Sequence, residues 1–254
     1  MNKIEEIERY WSASPCNVRH GTADIGSALW SHQVTTRKYW VESHIPDFAD
    51  FSHWQGKRVL ELGCGIATDT IQFAKFAEHV DAVDISKASL ELAMQRAAIN
   101  GCKNIGFYQG NIEDPLPFTA NWWNTYDLVY SFGVLHHTPH PECALQNAYK
   151  YLKPYGELRI MLYAEWSWKR IMHHQPEAKA GCPYVRWYTA KAAKRLVENS
   201  GFRVISIRKT HIFPWKIGPY TRHQYVRAFP WNVVSVRWLE PYLGHQLLIR
   251  AVRV

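Results

Sequence analysis

From Lys57 onward the chain alternates short apolar runs with stretches of helical period, and few architectures accept that order. The runs are KRVLEL, HVDAVDI, NIGFYQ, YDLVYSF and GELRIMLY, the last ending at Tyr163. Between them Ser86 is placed to cap a helix carrying Leu90, Met94 and Ala97, with Gly101 as its stop. Leu145, Tyr149 and Leu152 mark another helix, closed by Pro154. FRVISIRKTHIF and HQLLIRAV supply two further strands. Strands joined by such helices need right-handed crossovers, which bury a parallel sheet on both faces. The expected fold is α/β: a doubly wound, Rossmann-like, seven-stranded and mostly parallel sheet. Its ligands belong beyond the carboxyl ends of the strands, where strand order reverses.

Other segments stand outside the alternation. Ile4, Ile7 and Trp11 share one helical face over residues 3 to 12, and a second helix is expected from Ala28 to Ser43, before Pro46. Residues 1–55 therefore read as an N-terminal helical cap on a domain spanning 56–254. A stretch rich in Trp, His and Pro, about 164–188, reads as a lid insertion after strand five. It is followed by a helix in TAKAAKRLVENSGF with Thr189 as cap and Gly201 as stop, and then by a basic, aromatic-rich insertion at about 212–243. In that last insertion Trp231, Val234 and Trp238 recur at helical spacing, which favours packing.

Composition removes several function classes. A chain of 254 residues with 47% hydrophobic content buries a core of its own, and no uninterrupted apolar run approaches the roughly 18 residues of a membrane span. The charged opening MNKIEEIERYW and the absence of such a run lead to the expectation of a soluble, unexported, cytoplasmic protein. Five cysteines lie far apart with no CxxC pair, so neither a disulfide framework nor a metal site is expected. The net charge of +8 belongs to the segment from Arg203 onward, where nine Lys or Arg face the single acid Glu240. Such a surface attracts nucleic acid, anionic lipid or an acidic substrate, although a solvated face has the same composition.

The first strand and its turn, VLELGCGIATDT, carry the most chemistry. Glu61 ends the strand, Gly63 and Gly65 make the turn, Asp69 opens the next helix, and Asp84 ends the second strand. A glycine turn leading into a helix suits any nucleotide, yet Gly63-Cys64-Gly65-Ile66-Ala67-Thr68 lacks the third glycine of the dinucleotide fingerprint. Glu61 and Asp69 would repel a diphosphate and attract a ligand bearing an ammonium and a sulfonium. S-adenosylmethionine is such a ligand, and Asp84 would accept hydrogen bonds from its ribose hydroxyls.

With these residues in place, the chain resembles the class I S-adenosylmethionine-dependent methyltransferases, especially the menaquinone- and ubiquinone-biosynthesis type. The resemblance runs from about Lys57 to Tyr163. LELGCGIATD matches the acidic glycine loop, with Ala67 in place of the last glycine, and implies cofactor contacts from Glu61, Gly63, Cys64, Gly65, Thr68 and Asp69. VDAVDIS implies Asp84 on the ribose and Ile85 on the adenine. GNIEDPLPF places Asn111 where an aspartate usually meets the adenine amino group, with Ile112 beside it. YDLVYSFGVLHHTPHP matches the fourth-strand signature and adds Ser131; YLKPYGELRIMLY matches the next helix and strand, with Tyr155 replacing a usual glycine.

The expected reaction is in-line transfer of the methyl group to O, N or S of a small-molecule metabolite. The resemblance implies that His137, with His136 beside it, orients or deprotonates the acceptor. PCNVRHGT supplies Arg19 and His20, and YAEWSWKRIMHH supplies Tyr163, Trp166, Trp168, Lys169, His173 and His174, a mixture suited to a small aromatic or carboxylated substrate, with Arg19 or Lys169 pairing an anion. No Pro-Pro-Tyr or Pro-Pro-Trp motif follows the fourth strand, which argues against adenine N6 methylation. Pro15-Cys16 lies too early for a cytosine C5 nucleophile, so Cys16 reads as an ordinary thiol. Two other readings stay open: an RNA methyltransferase using the basic C-terminal face, and a non-catalytic S-adenosylmethionine-binding protein. The same basic stretch also suits a sheet-edge cover or a homodimer contact.

Overall fold

The computed structural model describes residues 2–115, 122–173, 182–212 and 236–254, with backbone alone at 172, 173, 236 and 237. Seven strands follow in chain order: β1 (Arg58–Leu62), β2 (His79–Asp84), β3 (Ile105–Gln109), β4 (Tyr126–Phe132), β5 (Leu152–Tyr163), β6 (Phe202–Thr210) and β7 (Gln246–Arg253). They form one sheet in the order β3-β2-β1-β4-β5-β7-β6. β1 through β5 run parallel, while β7 inserts antiparallel between β5 and β6. Strand order reverses between β1 and β4, so their carboxyl ends diverge into the crevice where such folds hold ligands.

The crossover helices follow the signals in the sequence. Helix α5 (Lys87–Ile99) is capped by Ser86, whose side chain accepts from the Ser89 N–H, and Gly101 beyond it has a φ of +69°. Thr189 caps Ala190–Asn199 in the same way. Val59, Leu60, Val80, Ala82 and Val129 are fully buried, which explains why these strands read as continuous apolar runs. One core cluster joins Leu60, Val129, Ile160 and Ile249 to Ala144, Leu145 and Ala148 of α6 (Pro141–Tyr151), and another packs Phe48 and Trp54 against Val59 and Tyr130. Side chains of this size contribute roughly 1.5–3 kcal/mol each when fully buried.

The N-terminal helices are α1 (Lys3–Ala13), α2 (Ala28–Val41) and the short α3 (Ile45–Ala49). Trp30 and Val34 of α2 pack on Ile66 in the glycine turn. Arg96, fully buried in α5, donates to the Ile66 carbonyl at 2.5 Å, to Thr68 Oγ1 at 2.8 Å and to Thr35 Oγ1 at 2.8 Å, so one guanidinium fastens turn, crossover helix and α2 together.

The expected last helix of the basic insertion differs from its sequence pattern. Trp231 and Val234 lie outside the described residues, and Trp238 is 68% exposed rather than packed. No helix among the described residues is long and apolar enough to cross a membrane.

Candidate functional site

A cavity opens at the reversal point, bounded by the turn after β1, the ends of β2 and β4, and the N-terminal helices. The space between these walls, part of it open to solvent, is about 990 Å³. Gly63, Cys64, Gly65 and Thr68 form one wall, Asp84 and Ile85 another, Asn111 and Ile112 a third, and His137 a fourth. Glu61 reaches the cavity from the end of β1. Nine of the eleven residues expected from sequence to hold the cofactor line this cavity, and Asp69 and Ser131 do not.

Backbone geometry explains the glycines. Gly63 has a φ of +80°, and a Cβ on it would lie 2.3 Å from Val134 Cγ2. Gly65 has a φ of +54° and open space where its Cβ would project. Ala67, at the position of the family's third glycine, also adopts the left-handed region with a φ of +59°. The Gly63 and Cys64 N–H groups donate to the Val83 carbonyl, which ties the turn to β2.

Charge is distributed unevenly around the cavity. Asp84 accepts from the Gly65 N–H at 2.8 Å and from the Ser86 N–H at 2.9 Å. Burial raises its pKa against the lowering effect of those N–H groups. Glu61 accepts from Thr70 Oγ1 at 2.5 Å, and burial, reinforced by the Asp69 carboxylate, pushes it up to about 8. Lys38 of α2 also lines the cavity, with its Nζ 3.0 Å from Asp69 Oδ1. Burial alone would lower the Lys38 pKa; the Asp69 and Glu42 carboxylates reverse that and leave it raised.

Several expected residues stand elsewhere. Asp69 is 1% exposed and lies outside the cavity lining, accepting from Tyr39 Oη at 2.8 Å and Tyr130 Oη at 3.0 Å as well as from Lys38. It anchors α2 rather than facing ligand. Ser131 donates to the Leu62 carbonyl at 2.9 Å and is buried between β1 and β4. Arg19 and His20 form a short helical turn away from the lining, because the chain bends at Asn17, whose φ is +67° and which itself lines the cavity. Trp166 is 69% exposed, and Tyr163 sits behind the wall. His174 and the side chain of His173 lie outside the described residues.

The two histidines separate clearly. His136 is fully buried, outside the lining, and stacked 3.7 Å from the Tyr163 ring; burial and then His137 push its pKa well below the usual histidine range. His136, expected beside His137 at the acceptor, thus lies among packed rings outside the cavity lining. His137 lines the cavity, with Nδ1 2.9 Å from the Tyr184 carbonyl. A carbonyl only accepts, so the neutral ring carries its proton on Nδ1 and its lone pair on Nε2.

Sequence reasoning missed Lys38, Cys16 and the apolar face of α1. Lys38 continues the buried series Trp30, Val34, Lys38 at a spacing of four, and a lysine on the inward face of a helix was the available signal. Cys16, expected to be an ordinary thiol, lines the cavity. Ile4, Ile7 and Trp11, read as one helical face, cover the cavity, with Trp11 edge-on to His137 at 5.2 Å.

The family described as a methyltransferase domain matches residues 53–207, which takes in the turn, every cavity strand and His137. The chain belongs to the class I S-adenosylmethionine-dependent methyltransferases. Among curated methyltransferases of this family, a ubiquinone biosynthesis O-methyltransferase of Haemophilus ducreyi is 35% identical over 104 residues, covering 41% of this chain and 44% of its own. A ubiquinone/menaquinone biosynthesis C-methyltransferase of Rhizobium meliloti is 33% identical over 112 residues, covering 42% of each. The chain thus spans less than half the length of the curated methyltransferases it matches. A solved geranyl diphosphate C-methyltransferase from Streptomyces coelicolor superposes with a TM-score of 0.67 at 16% identity, covering 100% of this chain and 99% of that one. A magnesium protoporphyrin IX methyltransferase from Synechocystis gives 0.61 at 14%, covering 100% and 98%. These structures share the methyltransferase fold.

The cavity residues fit the family cofactor, S-adenosylmethionine. A carboxylate at the end of β2 suits a ribose, Ile85 and Ile112 offer apolar surface for a base, and the neighbouring Glu61 and Lys38 suit an amino-acid end that carries both charges. In Asn111, Oδ1 already accepts from the Glu113 N–H at 3.2 Å and Nδ2 donates to Asp114 at 3.0 Å, so a lone pair on Oδ1 is what it offers an adenine amino group.

Proposed function

We propose that this protein transfers a methyl group from S-adenosylmethionine to an O, N or S atom of a small molecule. The observation that carries this reading is the meeting of Glu61, Lys38, Asp84 and His137 around one cavity at the strand-order reversal. Bound there, the cofactor supplies an electrophilic methyl group on a positively charged sulfur.

Asp84 would hold the ribose, with Ile85, Ile112 and Asn111 selecting the base. Glu61 and Lys38 would hold the amino-acid end; ionised Glu61 pairs an ammonium, and Lys38 pairs a carboxylate while staying tied to Asp69. Ile4, Ile7 and Trp11 exclude water from the reacting region, which strengthens each of these charge contacts. His137, with Nδ1–H held by Tyr184, presents Nε2 to take the acceptor's proton.

The experiment is incubation of the purified protein with methyl-labelled S-adenosylmethionine and fractionated cell extract. Label in a low-molecular-weight fraction supports the proposal, and label confined to RNA replaces it with transfer to nucleic acid. Tight cofactor binding with no label in any fraction leaves a cofactor-binding protein without transferase activity.

A further inference from the structure

Behind His137 the chain returns to the cavity wall through a segment that the proposed transfer leaves unused. The Arg186 N–H donates to the His136 carbonyl at 2.8 Å and the Tyr188 N–H to the Tyr163 carbonyl at 2.9 Å, which fastens this segment beside the two histidines. It brings the partly exposed Cys182 to His137, with Sγ 3.4 Å from Nδ1. Sγ also lies 3.4 Å from the Tyr184 carbonyl oxygen, the same oxygen that stands 2.9 Å from Nδ1. Ring nitrogen, sulfur and carbonyl oxygen thus form a closed triangle at the Nδ1 edge of the imidazole. In the resting pair the thiol S–H and the Nδ1–H both donate to that oxygen.

The surroundings make a positive charge on His137 costly. The ring is 6% exposed and packed by Trp11 at 5.2 Å, His136 at 4.4 Å and Tyr163 at 5.7 Å, side chains that supply no anion at neutral pH. Lys169 adds a positive charge that acts on His136, while Arg186, 6.0 Å over the Tyr184 ring, is drawn by the Glu142 carboxylate. A buried imidazolium needs a counter-charge in contact with it. Of the carbonyl and the thiol at Nδ1, only the thiol ionises.

Resting on His137 as the base of the proposed transfer, we infer that Cys182 is its positioning residue: the thiol gives up its proton as His137 gains one, and the pair becomes thiolate and imidazolium. When Nε2 takes the acceptor's proton, the Cys182 S–H bond breaks, its proton passes to solvent and Nδ1–H turns to the thiolate. One proton enters the pair and one leaves, so no net charge is buried. After the product departs, Nε2 gives its proton to water and the sulfur takes one back. The attraction that steadies the imidazolium also favours the thiolate, as it does wherever a cysteine stands beside a charged histidine.

Iodoacetamide alkylation of Cys182 in the full chain, followed by mass spectrometry over about pH 5 to 9, tests this without an acceptor. The rate is expected to show a plateau on the acid side of the ordinary thiol titration. His137→Gln, which keeps an N–H for the Tyr184 carbonyl but carries no charge, is expected to remove the plateau and cut the rate at about pH 6 at least 10-fold. The same profile in both proteins, or no alkylation of the folded chain where the urea-unfolded chain reacts, overturns the inference. Nitrogen-15 titration gives a second reading that needs no access to the sulfur: the His137 nitrogens must titrate in two steps in the parent and in one step in Cys182→Ser. One step in both proteins refutes the pair. S-adenosylhomocysteine affinity is expected to stay within 2-fold in Cys182→Ser, and its loss from a folded variant would give the thiol a structural part instead. Absence of methyl transfer to any cell fraction would refute the methyl-transfer reading, while the alkylation and nitrogen-15 titrations still judge the pair.

Discussion

Lys38 Nζ and Asp69 Oδ1 lie 3.0 Å apart, joining the inward face of α2 to the first turn of the helix after the glycine bend. Asp69 is buried with two tyrosine hydroxyls and this ammonium on its oxygens, so its charge is stabilised only while the three donors stay in place. Replacing Asp69 with Asn strips Lys38 of its counter-charge in a buried setting, which costs about 3–5 kcal/mol. A fall in the urea midpoint with a loss of S-adenosylhomocysteine affinity is the expected outcome of D69N. An unchanged midpoint would show that α2 is held by packing alone.

Cofactor affinity should rise with pH in a window set by Glu61. Its carboxyl is raised from 4.5 to about 8 by burial and by Asp69, so in the empty cavity it is largely protonated at pH 6. The stability this protonated form contributes is complete below about pH 4.5 and is lost as the pH climbs toward 8. Binding an ammonium needs the ionised form, so binding releases a proton and tightens between pH 6 and 8. Calorimetry in buffers of different ionisation enthalpy measures that proton directly, and Glu61→Gln should abolish both the release and the slope.

Gly63→Ala should damage the cofactor site twice over. Its φ of +80° strains any side chain, and its new Cβ would meet Val134 at 2.3 Å. Overpacking and left-handed strain together cost about 2–5 kcal/mol. The double variant with Val134→Ala removes the clash but keeps the strain, and thermal melts should place it between the single variant and the parent. A double variant no better than G63A would locate the damage in the backbone only.

His137→Ala, assayed at saturating cofactor once an acceptor is in hand, should lower turnover by about 10²–10⁴ if proton removal is part of the step. S-adenosylhomocysteine affinity should change little. Full turnover in this variant would take His137 out of the chemistry.

Tyr155 predicts an improvement rather than a loss. It sits in the left-handed region with a φ of +63° and its side chain is 81% exposed, so glycine relieves strain without surrendering packing. After subtracting the entropy glycine loses on folding, Tyr155→Gly should gain about 0.5–1 kcal/mol, or roughly 2 °C in melting temperature.

The positions that were legible in the sequence are those where local chemistry decides the outcome. Ser86 and Thr189 start helices with their side-chain hydroxyls, Gly101 and Gly201 end them with left-handed backbones, and Ala67 and Tyr155 adopt the left-handed conformations of the glycines they replace. The carboxylates are harder to apportion, because Glu61 and Asp69 look alike in a string and only the folded chain shows Glu61 lining the cavity and Asp69 paired with Lys38. His136 and His137 are adjacent, yet a tight helical turn at Leu135–His137 sends one ring into the packing and the other to the wall. Arg19 and His20 lie away from the cavity lining, beyond a left-handed bend at Asn17 that no motif encodes.

The antiparallel strand β7 has a consequence for how the molecule comes into being. Among the described residues β6 pairs with β7 and with no other strand, while β1 to β5 are already joined to one another. During synthesis the half that grips the nucleoside is therefore able to assemble while β6 still has no neighbour to pair with. The antiparallel edge formed by β7 and β6 is therefore completed last, so a nascent chain gains a place for the methyl donor before its sheet is whole.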